Sequence, residues 1–474
     1  MIVEGNIMKK LLIFTSLCLA FSVAQAKTLY VDNSTGNDST SYEANSSSNP
    51  WASLGRATWG SSSPSNVNAS QAARAGDVVI VRSGNYNTSV GGTGERYAPV
   101  YNPANSGTSG NEIVFRAEGN VVLSSNTNTI GEPLIGTYNR SHIVWDGFIL
   151  DERNINTKAD TGPVVVWSSN NVTIENLTVR GVTSSWNDNH NAIRLERADD
   201  IVIRNNTLYG TRNAGMNRNG SSIMLYYTTN VIIENNDISD SSGGIFVKGE
   251  NTGLVTIRYN YLHNIDAEGI AIGVISQNGA RVYQNIIRDS HAGITFIGYT
   301  SYSPANVDIV NNTIYNCSWG GIFFKPNTNG YRDLVFRNNL LVGNVTAIQG
   351  EDISDLSSMN YSHNHYYNNN NIARISYTNY SFSSWQSSFN KDTVGSEVAN
   401  PQFASTSDNT LTLNSSSPAI NAGVDILNLL GNGTSSSITV GARVTGNEVI
   451  GVGGTGGSTP PPASTASPSP AVLY

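Results

Sequence analysis

The chain has 474 residues, of which 13% are charged, and its 27 Lys and Arg against 35 Asp and Glu give a net charge of −8. Small polar residues and 45 glycines replace the missing charges, while a hydrophobic content of 38% is enough for a large buried core. An acidic chain without a cluster of Lys and Arg excludes a nucleic-acid-binding protein, and no apolar run reaches the ~18 residues of a membrane-spanning helix.

Residues 1–26 have the pattern of a secretory signal peptide with a short N-terminal extension. Lys9 and Lys10 precede an apolar stretch at 11–23, and Ala24-Gln25-Ala26 is a small-x-small cleavage site. This pattern predicts a mature protein that begins at Lys27. We therefore expect the protein to be secreted, with an extracellular location and a signal peptide of bacterial type.

Residues 50–58 predict a short helix before the first strand-like segments. The segments GDVVIVRSG at 76–84, NEIVFRAEG at 111–119 and SHIVWDGFIL at 141–150 follow it. If these strands begin a stack of coils, the first coil has an open end. We expect the helix to cover that end.

The centre of the chain is an internal repeat. The repeats align on the pattern aliphatic-x-aliphatic-x-Asn-Asn, and a second alternating segment precedes each one. The aligned residues are Asn206, Asn236, Asn260, Asn285, Asn312, Asn339 and Asn364. Their spacing is between 24 and 30 residues. Two short alternating strands and a third apolar pair in each period are typical of one turn of a solenoid.

The repeats predict an all-β fold over residues 27–450, a single-stranded right-handed parallel β-helix. Alternate side chains of each strand should point inward and stack on the same position of the next coil. The expected inward column is Ile193, Ile223, Ile245, Ile270, Ile294, Ile322 and Ile348. We expect the repeated asparagines to form a ladder in which each amide bonds to the next coil. A β-sandwich with fortuitous spacing is the alternative.

Residues 451–474 read GVGGTGGSTPPPASTASPSPAVLY. A Gly-rich run is a flexible spacer, and a run of Pro, Ser and Thr is a semi-rigid one. We expect a linker or tail here, and the sequence leaves open whether another module follows.

Three segments carry a resemblance to a known group of proteins. KTLYVDNSTGNDSTSYEANSSSNPWASLGRA begins at residue 27, GDVVIVRSGNYN begins at 76, and NPQFASTSDNTLTLNSSSPAINAG begins at 400. They resemble bacterial secreted right-handed β-helix proteins, many of which are polysaccharide lyases of the alginate and pectate lyase kind. The resemblance implies a carbohydrate-active enzyme of polysaccharide degradation. The signatures of polygalacturonases and of calcium-rich epimerases are not found.

Strand alternation also predicts which side chains point outward from one face of the solenoid. One column is Val165, Arg194, Met224, Phe246, Ala271, Thr295, Phe323 and Gln349. The neighbouring column is Trp167, Glu196, Tyr226, Lys248, Gly273, Ile297, Lys325 and Glu351. Adjacent coils stack at ~4.8 Å, so Glu196, Tyr226 and Lys248 should fall within ~10 Å along one line.

This set of side chains suits β-elimination on a uronate chain. The C5 proton becomes acidic only when the neighbouring carboxylate is neutralised, which an arginine or a metal ion can do. A base then removes the proton and an acid protonates the leaving oxygen. We predict Lys248 as the base, Tyr226 as the acid and Arg194 as the carboxylate clamp. An ordinary outward lysine paired with Glu196 is the alternative.

Further substrate-binding positions are predicted around this trio. They are Glu196, His190, Trp167, Phe246, Lys325 and Glu268. His190 and Glu268 precede their strands, so they should lie at the rim, where either could also be an acid, a base or a metal ligand. Calcium is the one cofactor left open, and the segment DNSTGND at 32–38 is either a structural calcium site or a plain turn.

The leading hypothesis is a monomeric secreted lyase that cleaves a uronate polysaccharide such as alginate or pectate. A glycoside hydrolase on a neutral or sulfated glycan is the second. Asp240 and Asp289 are two coils apart, ~10 Å, which is near the separation of an inverting pair. They alternate with Asn264 and Asn316, however, as Asx turns do. A non-catalytic glycan-binding protein or adhesin is the third.

Overall fold

The computed structural model describes residues 26–88, 92–95, 97–125, 133–151, 162–181, 183–184, 189–213, 215, 217–273, 279–298, 303–327, 330–353, 356–406 and 410–452. The predicted signal peptide, apart from Ala26, and the predicted linker after residue 452 lie outside the described residues. The proposed boundaries of the domain therefore stay predictions.

The chain is a right-handed parallel β-helix, as the repeats predict. Three rows of short strands run along it. The first row, called sheet 1, has eleven strands in the described ranges. They are Ile135–Tyr138, Val164–Trp167, Ile193–Glu196, Ser221–Tyr226, Gly243–Val247, Glu268–Ile272, Ala292–Phe296, Gly320–Phe324, Thr346–Gly350, Asn371–Ile375 and Thr378–Tyr380. All neighbours are parallel except the last pair.

The second and third rows form one continuous sheet, because two long strands belong to both rows. The second row is Thr28–Val31, Val78–Thr88, Ile113–Ser125, Ile143–Asp146, Asn170–Glu175, Asp199–Arg204, Thr229–Glu234, Val255–Arg258, Ala280–Tyr283, Ala305–Val310, Arg332–Arg337 and Met359–Ser362. The third row is Ile149–Asp151, Thr178–Arg180, Thr207–Tyr209, Asp237–Ser241, Tyr261–Ile265, Ile286–Arg288, Thr313–Tyr315, Leu340–Val342, His365–Tyr367 and Glu397–Val398.

Four further strands and four helical segments complete the described secondary structure. Thr183–Ser184 pairs with Arg212–Asn213, and Gly423–Val424 pairs with Ser437–Ile438. The α-helices are Leu54–Trp59 and Phe382–Phe389, and the 3₁₀ helices are Ala69–Gln71 and Arg218–Gly220. Neither α-helix has the length or the apolar character that crossing a membrane would require.

The predicted inward column of sheet 1 is confirmed. The isoleucines pair in the expected register from Ile193 to Ile348, and each is at most 1% exposed. They belong to one continuous hydrophobic core that extends from the first strand to Trp385. Because equivalent positions of successive coils stack on one another, every coil buries apolar surface. This burial stabilises the solenoid without the help of a disulfide bond.

The predicted asparagine ladder is also confirmed. From Asn206 to Asn364, each side-chain amide donates to the Oδ1 atom of the next asparagine at 2.9–3.1 Å. The residue before each ladder position is left-handed, with φ between 54° and 57°. The chain thereby turns sharply between the second and third rows and aims the ladder amide inward. Asp392 ends the ladder by accepting from Asn364 at 2.9 Å.

The predicted N-terminal helix is Leu54–Trp59, and all of its residues are buried. Ser53 caps it by accepting from the backbone N–H of Arg56 at 3.1 Å. The helix shares the core of the first strands, so it covers the end of the solenoid. Backbone groups at the free edge of Thr28–Val31 are also hydrogen-bonded, because the Asn45 side chain makes two hydrogen bonds to the Tyr30 backbone.

Residues 419–451, called the C-terminal strap, run back along the outside of the third row. Left-handed residues of successive coils hold it: Asn338 donates to Val424, Asn311 to Thr439 and Asn235 to Val449. Apolar strap residues cover outward side chains of the third row. The strap therefore covers the third row and not sheet 1.

Candidate functional site

The outward face of sheet 1 carries the three predicted catalytic residues in the expected register. Arg194 pairs with Met224, and Glu196 pairs with Tyr226. Met224 pairs in turn with Phe246, so Lys248 lies one coil beyond Tyr226 in the same column. Parallel pairing at ~4.8 Å therefore brings side chains from three coils together.

These three side chains form a stack. The Arg194 guanidinium lies 4.8 Å from the centre of the Tyr226 ring, and the Lys248 Nζ atom lies 5.1 Å from it. The tyrosine is therefore held between two cations by its ring, which leaves its hydroxyl at the edge of the stack. Lys248 also donates to the Asn219 side chain at 2.9 Å rather than pairing with Glu196.

The neighbouring outward column differs from the expectation, because it is buried. Met224, Phe246, Ala271 and Thr295 are each at most 1% exposed. Three of them form an outer hydrophobic cluster against which Tyr226 packs. Phe246 was expected to bind substrate, but it lies under the Lys248 ammonium, 5.6 Å from its ring centre. Its side chain supports the stack and does not face a ligand.

Arg194 and Glu196 form a buried ion pair on one strand. Two nitrogens of Arg194 donate to one oxygen of Glu196 at 2.9 and 3.1 Å. Glu196, an expected substrate-binding residue, is thus committed to orienting Arg194. The Nη1 atom of Arg194 is buried and has no hydrogen-bond partner among the described residues. This nitrogen is covered by protein, so an incoming group could bind it only after the side chains over it move.

A second charged cluster contains two more of the predicted residues. Glu268 accepts from Arg218 through both of its oxygens, with the Nε contacts at 3.1 Å. The Nζ atom of Lys325 lies 3.8 Å from the same carboxylate. Burial lowers the pKa of Lys325, the Arg218 charge lowers it further, and Glu268 and Glu351 act in the opposite direction. We name Arg218, Glu268 and Lys325 the REK cluster.

Sequence reasoning missed Arg218, Asn219 and a third residue, Tyr97. Tyr97 stacks on Trp167 with ring centres 4.0 Å apart, and the Arg194 guanidinium lies 5.8 Å from the Tyr97 ring. Trp167, predicted to stack on a sugar, is therefore covered by a protein ring. The repeat length could have pointed to Arg218 and Asn219. They lie in a coil of 30 residues, longer than the 24–27 residues of the later ones.

His190 also differs from the expectation. The position before the Ile193–Glu196 strand predicted a residue at an open rim, yet His190 is 1% exposed. The burial contradicts the open rim, and a binding role for His190 stays a prediction.

The carboxylates considered for a hydrolase or for calcium are turn residues. Asp240 and Asp289 both have φ of 51°, in line with Asn264 and Asn316 at 54° and 56°. In the segment 32–38, hydrogen bonds from Ser34 lower the pKa of the Asp32 carboxyl. Within the described ranges, no three His, Cys, Asp or Glu side chains lie together so as to hold a metal ion. The structural calcium site at 32–38 stays a prediction.

The comparisons with known proteins agree with this architecture. The family model described as "Right handed beta helix region" matches residues 162–306 and 217–357. No curated protein sequence matches the chain.

Solved structures resemble the chain at low sequence identity, and one of them, with a TM-score of 0.54, shares its fold. Pectate lyase Pel9A has a TM-score of 0.54 and 15% identity, covering 89% of this chain and 97% of its own. The A-module of the Azotobacter vinelandii mannuronan C-5 epimerase AlgE6 has a TM-score of 0.45 and 15% identity, covering 69% and 92%. The lacto-N-biosidase of family GH136 from Eubacterium ramulus has a TM-score of 0.44 and 12% identity, covering 78% and 68%.

Proposed function

We propose that this right-handed parallel β-helix is a secreted polysaccharide lyase that cleaves a uronate polymer, such as pectate or alginate, by β-elimination. The stack of Arg194, Tyr226 and Lys248 is the observation that carries the proposal. It places a basic amine, a phenol and a guanidinium on one face of the solenoid. The fold shared with a pectate lyase is consistent with a polysaccharide substrate.

The reaction assigns one task to each side chain. The Lys248 amine takes the C5 proton, and the electron pair of the C5–H bond becomes the C4=C5 double bond. The bond from C4 to the glycosidic oxygen breaks, and the Tyr226 hydroxyl gives that oxygen its proton. Lysine serves as a base in sites that disfavour its charged form.

Arg194 supplies the electrostatic part of the proposal. After the side chains over it move, its Nη1 atom would bind the uronate carboxylate, and neutralising that group stabilises the negative charge that develops at C5. Glu196 holds the guanidinium in place while one donor is engaged by the substrate. Because Arg194 is buried beside Tyr226, its contacts are worth more than those of an exposed arginine.

The experiment follows the ultraviolet absorbance of the unsaturated uronate during incubation with pectate, alginate and glycosaminoglycans. We expect the absorbance to rise with at least one polymer. Lys248→Met and Tyr226→Phe should each lower the rate about 10²–10⁴-fold, the usual contribution of a general acid or base. Melting temperatures of the variants show that they fold.

Arg281→Met is the matched control. Arg281 lies in the second row, its side chain is 45% exposed, and its removal takes away one positive charge far from sheet 1. Its rate should stay near that of the wild type. An unchanged rate in Lys248→Met contradicts the assignment of the base. If a chelator abolishes the activity of the wild type, a metal ion and not Arg194 neutralises the carboxylate.

A further inference from the structure

The REK cluster takes no part in the proposed reaction. Lys325 and Lys248 belong to the same outward column, but three coils separate them, or about 14 Å of stacking. The Lys325 side chain nevertheless reaches back to Glu268, whose strand directly follows that of Lys248, and Arg218 adjoins Asn219, which binds Lys248. The REK cluster therefore lies beside the Lys248 site, on the face along which the polymer would lie.

The three side chains of the REK cluster are exposed to solvent to different extents. The Glu268 side chain is 4% exposed, whereas Arg218 is 26% and Lys325 30% exposed. The carboxylate thus lies beneath and the two cations lie above it. Solvent, and any ligand arriving from solvent, meets the cations.

Glu268 fixes the positions of the cations from below. Arg218 comes from the 3₁₀ helix Arg218–Gly220, Glu268 begins a strand of sheet 1, and Lys325 follows another strand two coils later. Lys325 also lies 5.2 Å from the centre of the Phe323 ring. Its side chain therefore reaches back along its own strand and across to Glu268. A buried carboxylate that orients two cations prepares them for an external anion.

We propose that Arg218 and Lys325, positioned by Glu268, form a carboxylate-binding subsite for a uronate of the polymer next to the sugar at Lys248. This inference rests on the proposed function, since it assigns the polymer to the same face. The subsite binds a sugar that is not cleaved. It makes the protein select long chains of charged sugars over short or esterified ones.

Binding measured without catalysis tests the subsite. Electrophoresis in native gels that contain pectate, or the same polymer fully methyl-esterified, reports affinity through retardation. Wild type should be retarded by pectate and much less by the ester. Lys325→Met should bind pectate about tenfold more weakly, the usual loss for one charge-assisted hydrogen bond, and Lys325→Arg should restore binding.

Two glutamates of the same neighbourhood provide a matched pair. Glu351 acts on Lys325 electrostatically but is not part of the REK cluster. Removing either negative charge would strengthen polyanion binding if charge alone mattered. Because Glu268 positions the cations, Glu268→Gln should weaken retardation, whereas Glu351→Gln should strengthen it. Melting temperatures confirm that both variants fold.

The outcomes separate this subsite from the lyase assignment. If the ultraviolet absorbance does not rise but pectate still retards the wild type, the lyase assignment is rejected and the subsite is supported. If pectate retards Lys325→Met as strongly as the wild type, the subsite is rejected, whatever the result of the ultraviolet assay. A wild type that no uronate polymer retards overturns both.

Discussion

At the scale of single residues, one repeated backbone conformation organises the coil. The position before each ladder asparagine is left-handed from Asn205 to His363. Asparagine tolerates this conformation well, and the chain uses it at Asn205, Asn235, Asn311 and Asn338. His363 is the last member of the column and the only one with an imidazole. This makes it a natural place for a dependence of stability on pH.

We expect His363 to weaken the fold as the solution becomes acidic. Burial lowers its pKa, Arg337 lowers it further, and Asp392 acts against them. The unfolded chain takes up the proton below about pH 6.5 while the folded chain resists it, so stability is unaffected above that pH and falls below it.

His363→Asn is the test, since it keeps the left-handed conformation and removes the titrating group. The melting temperature of the wild type should fall more between about pH 7 and about pH 5 than that of the variant. Equal losses in the two proteins would show that His363 is not the source.

At the scale of elements, the C-terminal strap is held by side chains of the coils that it crosses. The Asn311 amide donates to the carbonyls of Thr439 and Gly441 at 2.7 and 3.2 Å. The strap has few regular backbone partners of its own, so these amides replace a strand ladder. They also explain why asparagine recurs at a position that points away from the core.

Asn311→Gly should therefore loosen the strap while the coil keeps its backbone conformation, because glycine adopts the positive φ. The change removes two hydrogen bonds to the strap and one that Asn311 accepts from Asn338 at 3.0 Å, and it should raise hydrogen exchange at the Gly441 and Ala442 amides about tenfold or more. Asn205→Gly is the control, since Asn205 has the same conformation and no described hydrogen bond to the strap. Equal exchange in both variants would refute the role of Asn311.

At the scale of the whole molecule, a solenoid has two ends, and each end exposes strand edges unless something covers it. The edge of the first strand, Thr28–Val31, is closed by the Asn45 side chain and by a hydrogen bond from Trp51 to the Tyr30 carbonyl. At the other end, Asp392 accepts from Trp385 and Tyr366 at 2.9 and 2.7 Å. These contacts satisfy polar groups at the two ends of the described solenoid.

Asn45→Ala should make the protein associate through its first strand. The substitution frees the backbone N–H and one lone pair of the Tyr30 carbonyl at the edge, where a second chain can pair with them. We expect oligomers in size-exclusion chromatography and earlier light scattering on heating. Asn66→Ala, at an exposed position, should stay like the wild type. A monomeric Asn45→Ala would show that the helix alone protects this end.

The fold was predictable because its information is local and repeated. The spacing of Asn206 to Asn364 and the alternation in segments such as Ile193–Glu196 each fix one coil, and every coil repeats the constraint. The stack of Arg194, Tyr226 and Lys248 was predictable for the same reason, since parallel register follows from aligned repeats. Its chemistry as a lyase stays a proposal.

The exposure of the site was not predictable. Alternation gives the direction of a side chain, inward or outward, but not what lies over it. Phe246 and His190 point where the pattern places them and are nevertheless buried. Tyr97 reaches Trp167 from a segment far away in sequence, and Arg218 reaches Glu268 from the insertion of an earlier coil.

The architecture, the inward columns, the ladder and the grouping of the cationic face can be derived from the amino-acid order, because they depend on the repeat length and on strand alternation. Which outward side chains meet solvent, which cations share a carboxylate and where the strap lies became clear only from the folded chain. Those features depend on contacts between irregular segments, whose sequences do not repeat along the chain. The pairing of Arg218 with Glu268 is such a contact, made across 50 residues of chain.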